Sequence, residues 1–414
     1  MSESQPPASP SPAFEARIAA CAGVIVRIGL NLQPRQRLLI AEPYELHGVT
    51  PEAKPLVDAV IAAAGAVTGD HPNGVEVIRG DQRRLRGFIA DRNWRGLSLL
   101  AADNARRMND YVARGDALLF LLGSHPTLTT DLPPDRVAEA RRIGNEYFGE
   151  ISRQLTQGLT NWTAAPAPSR DWADAAYPDF PPDSRMAALW AAVFEALRIN
   201  SRGSESDALA AWDTHLRKLQ KHRDELNARR LGGIRFCDDG TDLSVTLPAE
   251  HVWCTACMRS KAGVPFVANL PTEEIFTLPH KDSAQGILTA GRPVVFGGTI
   301  IDGITLEFQN GRVVNAAARH GGVLLRQLLE TDEGAARLGE VAILAGESAA
   351  GKSPDPPWSK GRLFHHVLLD ENAGNHVALG EGYAFCLKSP NPGALNRSLI
   401  HVDVPVAAKA NLLA

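Results

Sequence analysis

The chain has 414 residues, of which 44% are hydrophobic and 22% charged, as in typical folded globular proteins. These values argue against disordered, collagen-like and coiled-coil proteins, and no uncharged apolar run is long enough for a transmembrane helix. Lys and Arg number 43 against 47 Asp and Glu, a net charge of -4. We therefore expect neither nucleic acid nor an anionic membrane as partner, and predict a small-molecule substrate.

Cysteine usage and the start of the chain both favour a cytoplasmic location. Five cysteines are few and odd in number, unlike a disulfide framework. Residues 1–13 are rich in Ser and Pro and lack the basic start and apolar run of a signal peptide. We expect this segment to be a disordered tail.

Residues 14–165 are predicted to form an N-terminal α/β domain. Apolar residues at three- to four-residue spacing predict a helix over 14–29, and the apolar run 38–41 predicts a buried strand. Further elements are predicted as a helix over 51–64, strands over 75–78 and 117–122, and a helix over 134–155. Alternation of helices and strands is typical of a mostly parallel sheet.

A proline-rich segment over 166–184 is predicted to be an irregular connector between two domains. The second domain, 185–414, opens with a helix over 204–231 whose start carries the capping pair Ser204 and Asp207. Alternating apolar residues after it predict many strands, so the C-terminal domain is expected to be α+β.

Two short motifs are not expected to carry the function. Residues 346–353 fit a phosphate-binding loop, but the prolines at 354, 356 and 357 prevent the helix that such a loop requires. Cys254 and Cys257 have the spacing of zinc ligands, but two further ligands at comparable spacing are missing.

Histidines and acids between residues 269 and 403 form the informative set. His401 and Asp403 alternate in a strand-like run, which places both side chains on one face, where they can reach one ion. Glu371 and His376 can reach the same ion if the chain turns between them.

Two further acids, Glu274 and Glu340, could bridge two cations. A mixed set of histidine and carboxylate ligands suits divalent zinc, cobalt or manganese. Because burying this many acids without a cation would be unfavourable, a metal site is predicted.

The same region resembles the thermophilic metalloprotease family of aminopeptidases. The resemblance rests on five motifs in order: GTDLSVTLP from Gly240, NLPTEEIFTLPH from Asn269, TDEGAARLGEVA from Thr331, DENAGNH from Asp370 and NRSLIHVD from Asn396. It covers most of the chain from about residue 14 and implies an N-terminal α/β domain, a C-terminal catalytic domain and a homodimer.

The resemblance also implies a dinuclear metal site. Its implied ligands are Glu274, Glu340, Glu371, His376, His401 and Asp403. Tyr383, seven residues after His376, is implied as an active-site hydroxyl. The choice between Glu273 and Glu274 as ligand stays open, and the distance to Glu340 favours Glu274.

We predict a metallo-aminopeptidase that hydrolyses N-terminal residues from small peptides. Two divalent ions would bind the free amine, polarise the carbonyl and activate water. Tyr383 would donate to the oxyanion, and Glu273 or Glu371 would carry the proton to the leaving amine.

The alternative is a repurposed relative with one iron. His376, His401 and Asp403 alone form the two-histidine, one-carboxylate set of Fe(II) dioxygenases, which could act on a small hydroxylated aromatic such as a dihydroxypyridine. Retention of Glu274 and Glu340 favours two metals.

The chain departs from the family pattern at two places in the second half. The proline-rich residues 353–360 read as an insertion near the predicted metal site, and only eleven residues follow Asp403. Typical members continue through a further strand and turn, so this strand is expected to be missing.

Overall fold

The computed structural model describes residues 11–42, 48–69, 74–123, 125–238, 240–344 and 356–413. Most of the predicted N-terminal tail and the loop-like motif at 346–353 lie outside these ranges. Within them, no helix is long and apolar enough to cross a membrane.

A parallel sheet forms the centre of the N-terminal part. Its strands are β1 (Leu38–Ala41), β2 (Val75–Val77), β3 (Ala117–Leu122) and β4 (Trp162–Pro166). They are arranged in the order β2–β1–β3–β4 and all pair in parallel. Every residue of β1 and β3 is buried, as expected for strands covered by helices on both faces. The predicted α/β fold class is confirmed.

Helices surround this sheet, and two of them were not predicted. The helices are α1 (Pro12–Val24), α2 (Lys54–Thr68), α3 (Gln82–Ala90), α4 (Trp94–Arg114) and α5 (Pro134–Thr156). The sequence of α3 and α4 is rich in polar residues, so their apolar stripes are narrow. Their clearest signals are caps: Asp81 accepts a hydrogen bond from the Arg83 amide and Asn93 from the Gly96 amide.

The predicted connector contains a helix, which corrects the expectation that it is irregular. Helix α6 (Arg170–Ala176) begins after Ser169 and is followed by α7 (Pro182–Ala196). Trp172 of α6 is fully buried, stacks on His366 at 4.2 Å between ring centroids, and donates from Nε1 to the Phe364 carbonyl oxygen. Trp172 therefore helps to hold the segment against the C-terminal part.

The C-terminal part combines a long helix with antiparallel sheets. Helix α8 (Glu205–Arg229) confirms the predicted helix, and Ser204 caps it by accepting from the Asp207 amide at 3.2 Å. The strands are β5 (Gly233–Asp238), β6 (Thr241–Thr246), β7 (Cys257–Arg259), β8 (Pro265–Val267), β9 (Glu274–Thr277), β10 (Gln285–Thr289), β11 (Val294–Phe296), β12 (Thr299–Ile301), β13 (Thr305–Gln309), β14 (Arg312–Ala317), β15 (Leu338–Leu344), β16 (His376–Gly380), β17 (His401–Pro405) and β18 (Lys409–Leu413). The remaining helices are α9 (Gly322–Leu329) and α10 (Val367–Glu371).

Two sheets organise this part. One has the order β14–β13–β10–β6–β5–β18 and the other the order β17–β16–β15–β9. The final strand β18 pairs with β5, so the strand expected to be missing after Asp403 is present.

The structure describes residues 356–360 of the predicted insertion. Within this stretch, Trp358 and Ser359 are buried.

Candidate metal centre

The candidate site lies on one face of the sheet β17–β16–β15–β9. Successive side chains of a strand point to opposite faces, so each strand contributes to both. Side chains on the first face belong to the hydrophobic core of the C-terminal part: Ile275, Val341, Ile343, Val377, Leu379 and Val404. Side chains on the second face include the predicted ligands Glu274, Glu340, His376, His401 and Asp403.

A β-bulge at Gly339 turns Glu340 towards the second face. Leu338 pairs with Leu379, whereas Glu340 pairs with the residue before Leu379, so two residues of β15 span one of β16. Leu338 and Glu340 therefore point to opposite faces although they are two positions apart. Gly339 is needed because a Cβ atom there would lie 2.3 Å from the carbonyl oxygen of Glu381.

Small side chains separate the ligands across the sheet. Ala378 lies directly between Glu340 on one neighbouring strand and Asp403 on the other. Ala342 lies beside His376 and has Phe276 as its neighbour on the other side. Methyl groups at these positions leave the space above the sheet to the acids and imidazoles.

His376 is the central imidazole of the cluster. Its Nε2 atom lies 3.1 Å from Glu274 Oε2, 3.5 Å from Glu340 Oε1 and 3.8 Å from Asp403 Oδ1. His376 is 1% exposed, and Glu274 and Glu340 are each 4% exposed. Three carboxylates therefore surround one buried nitrogen atom.

His401 lies on the other side of Glu340. Its Nε2 atom is 3.4 Å from Asp403 Oδ1 and 3.7 Å from Glu340 Oε2. Its Nδ1 atom lies 2.9 Å from the carbonyl oxygen of Glu381. An Nδ1–H that donates to this oxygen leaves the Nε2 lone pair facing the acids, which is the tautomer a metal ligand requires.

The candidate ligand atoms form two groups that share Glu340. One group contains Glu274, Glu340 and His376, and the other contains Glu340, His401 and Asp403, with the atoms of each group within 4.8 Å of one another. Glu274 Oε2 is buried and, despite its proximity to His376, makes no contact with hydrogen-bond geometry. A buried carboxylate oxygen normally has a hydrogen-bond partner. Because this oxygen has none and faces an imidazole nitrogen, its surroundings fit the role of a metal ligand.

The charges of the cluster are mutually dependent. Burial raises the pKa of Glu274 to about 8. Burial and the nearby Asp403 also raise the pKa of Glu371 well above its ordinary value. Burial opposes the charge on His376, yet Glu274, Glu340 and Asp403 outweigh it and raise the pKa of this imidazole to about 10. The buried acids therefore either keep a proton or pair with a protonated imidazole. Bound cations would take the place of these protons.

Glu371, the last residue of α10, lies beside the two groups and not within either of them. It is buried, and its carboxyl group hydrogen bonds to Asp403. The amide of Asn372, which is fully buried, donates to Glu371 Oε1 at 3.2 Å. The Asn372 Oδ1 atom in turn accepts from the Glu273 backbone amide at 2.6 Å. Sequence reasoning missed Asn372, whose signal was its place directly after Glu371.

Tyr383 lies against His401. The two rings stack with centroids 4.8 Å apart, and the opposite neighbour of Tyr383 is Phe385, stacked at 5.2 Å. Phe276, on the same sheet face as Glu274, meets both Tyr383 and Phe385 edge to face. The phenol is thus held by aromatic packing beside the imidazole.

Glu273 and Glu274 occupy different surroundings. Glu274 enters the cluster, whereas Glu273 Oε1 accepts from Arg198 at 2.7 Å and Glu273 Oε2 lies 3.5 Å from His215 Nε2. The guanidinium of Arg198 also lies over the ring of Trp212. The structure therefore brings Glu274 to the other candidate ligands and places the Glu273 carboxylate in a separate ion pair.

The sequence pattern of the thermophilic metalloprotease (M29) family matches residues 14–412. The chain belongs to this family. It is 34% identical to aminopeptidase T of Thermus thermophilus over 94% of this chain and 92% of that protein. It is 33% identical to aminopeptidase AmpS of Bacillus subtilis over 74% of each. The solved structure of wild-type AmpT from Thermus thermophilus superposes with a TM-score of 0.82, covering 97% of this chain and 96% of that one at 33% identity.

Membership in the M29 family confirms the resemblance read from the sequence and the predicted enzyme class, a metallo-aminopeptidase among the hydrolases. The similarity to AmpT confirms the mixed α/β fold. The requirement for a divalent metal follows from the family, and the two ligand groups fit such ions.

Proposed function

We propose that this M29 enzyme removes N-terminal residues from small peptides through two divalent metal ions that share Glu340. One observation supports the count of two: the oxygens of Glu340 approach different imidazoles, Oε1 that of His376 and Oε2 that of His401. A single ion would use only part of this arrangement. Zinc, cobalt and manganese suit its mixture of imidazole and carboxylate donors.

The chain supplies the groups that position and protonate the substrate. Bound ions would supply Lewis acidity for water and for the scissile carbonyl group. The Tyr383 hydroxyl, held beside His401, would donate a hydrogen bond to the oxyanion that develops on the carbonyl oxygen.

We assign the proton-carrying role to Glu371 rather than Glu273. The Glu371 carboxyl group lies beside the cluster of acids and imidazoles. It is hydrogen bonded to Asp403 and oriented by Asn372. The Glu273 carboxylate is already engaged by Arg198 and is therefore poorly suited to exchange protons with a substrate. Glu371 would pass a proton to the leaving amine.

The predicted homodimer and cytoplasmic location remain predictions. Light scattering on the purified protein measures the first, and fractionation of the producing cells measures the second.

The metal count tests the proposal directly. We expect elemental analysis of purified, metal-loaded protein to give two divalent ions per chain, together with hydrolysis of leucine p-nitroanilide. His401→Ala should lose metal and activity together, because it removes a ligand of the second group. His320→Ala, which changes an exposed histidine, is the matched control and should retain both. One iron per chain with oxygen consumption on a dihydroxypyridine would instead establish the dioxygenase alternative.

A further inference from the structure

Two thiols, those of Cys254 and Cys386, meet behind the aromatic rings that flank the metal centre. Both cysteines belong to a small apolar cluster that also contains Phe276, Tyr383 and Phe385. The Cys254 Sγ atom lies 3.9 Å from the carbonyl oxygen of Phe385, the residue before Cys386. The two thiols share a hydrogen bond. Two cysteines that are distant in the sequence therefore have their sulfur atoms in contact.

Backbone hydrogen bonds fix the segments that carry these thiols. The Val252 amide, two residues before Cys254, donates to the Cys386 carbonyl oxygen at 2.8 Å. Cys254 itself pairs with Phe276 of β9, and the two residues exchange backbone hydrogen bonds of 2.8 and 3.0 Å. The contact between the thiols therefore follows from the pairing of the backbone around them.

The two thiols differ in how a small molecule can reach them. Cys254 lines a cavity of about 480 Å³, a volume in the range of small-molecule sites, whereas Cys386 is 1% exposed. Neither group of candidate metal ligands lines this cavity, and the packed rings of Phe276, Tyr383 and Phe385 separate it from them. A reagent in the cavity therefore meets Cys254 first and does not enter the metal centre.

The turn that carries Cys386 also positions Tyr383. The short 3₁₀ turn Ala384–Cys386 directly follows Tyr383, whose carbonyl oxygen accepts from the Cys386 amide at 3.0 Å. A disulfide holds its sulfur atoms at about 2.05 Å, closer than two thiols in contact. A bond between the sulfurs would therefore draw this turn towards Cys254 and shift the Tyr383 ring relative to His401, on which it stacks.

We propose that Cys254 and Cys386 form an oxidation site, at which a small disulfide converts the two thiols to a protein disulfide and lowers turnover by displacing Tyr383. The effect on turnover rests on the function proposed above. In the first step the Cys254 sulfur attacks the small disulfide, whose S–S bond breaks and releases one thiol. The Cys386 sulfur then attacks Cys254, and the second small thiol leaves. Two hydrogen atoms pass to the reagent, so the protein is oxidised by two electrons and the reagent is reduced by two.

The test uses metal-loaded, full-length protein that carries Cys237→Ser, which removes an exposed thiol. This parent protein is treated with bis(2-hydroxyethyl) disulfide, and the reagent is then removed. We expect non-reducing peptide mapping by mass spectrometry to show a Cys254–Cys386 cross-link without bound reagent. Turnover on leucine p-nitroanilide should fall by about a hundredfold, the effect of moving a catalytic group by about 1 Å. Both ions should remain, and a phosphine reductant should restore turnover.

Cys257→Ser is the matched control, because Cys257 lines the same cavity while its thiol hydrogen bonds to Thr255. It should give the same cross-link and the same loss of turnover as the parent. Cys386→Ala should stop at a mixed disulfide between Cys254 and the reagent. Cys254→Ser should form no cross-link and should keep its turnover after treatment.

Two results on the parent protein overturn the proposal at the level of chemistry: no Cys254–Cys386 cross-link, or a Cys254–Cys257 cross-link in its place. A cross-link that leaves turnover unchanged, or that releases the ions, overturns the displacement of Tyr383. The cross-link is detected by mass and not by activity. If the reduced protein does not hydrolyse the anilide, the aminopeptidase function fails, and the peptide map still establishes or excludes the disulfide on its own.

Discussion

The two faces of the sheet β17–β16–β15–β9 are built from the same strands with opposite chemistry. One face places Val341, Val377 and Val404 side by side in the core, where burial of apolar surface stabilises the fold. The other face buries acids and imidazoles, which burial alone destabilises. One face therefore supports the fold by burying apolar surface, while the other buries ionisable groups whose charges bound cations would balance.

The largest expected effect follows from Glu340→Gln, because Glu340 belongs to both ligand groups. Loss of its charge should deplete both ions and abolish activity, exceeding the roughly 10- to 100-fold loss of metal affinity that changes around a metal ligand cause. Glu273→Gln is the matched control and should retain both ions. Metal analysis after dialysis measures the outcome, and retention of two ions in Glu340→Gln would contradict the shared-ligand arrangement.

Tyr383→Phe separates chemistry from metal binding on the charged face. Removing one oxyanion donor lowers turnover by about a hundred- to a thousandfold, and the phenyl ring should keep the stacking on His401. Both ions should remain. Steady-state kinetics on leucine p-nitroanilide with parallel metal analysis test this; unchanged turnover would remove Tyr383 from the mechanism, and metal loss would make it a ligand or a structural residue.

Leu379→Ala probes the apolar face. Leu379 is 1% exposed and packs in the core opposite the ligands. Its truncation should lower the free energy of unfolding by about 2 to 5 kcal/mol. The folded variant should keep two ions per chain, because its side chain points away from them. Urea denaturation and metal analysis give both quantities, and specific loss of metal at unchanged stability would show that the two faces are not separable.

The pH dependence of the metal-free protein gives the smallest effect. Neighbouring acids raise the pKa of His376 to about 10 and that of His401 to about 9, although burial acts in the other direction. For a base with a raised pKa, the added stability is complete below the ordinary value of 6.5 and is lost as the pH passes 9 to 10. Burial raises the pKa of Glu274 from its ordinary value of 4.5 to about 8, so the stability of the folded state also falls as the pH rises through this range.

The melting temperature of the metal-free protein should therefore fall from about pH 6.5 to about pH 10, and bound ions should reduce this fall because they replace the protons. Calorimetry with and without added metal measures both curves. A metal-free protein that becomes more stable over this range would show that the cluster charges are balanced in another way.

Local patterns predicted much of this organisation. His401 and Asp403 share a face because strand periodicity is local, and the stretches at 38–41 and 117–122 were recognised because buried parallel strands are continuously apolar. The meeting of Glu274, Glu340 and His376 depends on the register of three strands distant in sequence. Spacing alone could not fix that register, and only the resemblance indicated it.

The remaining differences have definite physical causes. Helix α6 lies in a segment whose prolines suggested a connector, but Trp172 anchors it through burial and one hydrogen bond. The distance to Glu340 favoured Glu274 over Glu273 as the ligand but left the choice open, because the first residue of β9 sets which of them faces the cluster. The sequence motif around them does not contain that information.

The bulge at Gly339 allows two residues of β15 that are two positions apart to serve different faces of the sheet. In a regular strand, Leu338 and Glu340 would share one face, which would bring either Leu338 among the acids or Glu340 into the apolar core. Removal of Gly339 would make Leu338 and Glu340 adjacent in a regular ladder, and adjacent residues also point to opposite faces. The bulge thus accommodates one extra residue in β15 without changing the face of Glu340, and that extra residue must be glycine because the Glu381 carbonyl oxygen leaves no room for a Cβ atom.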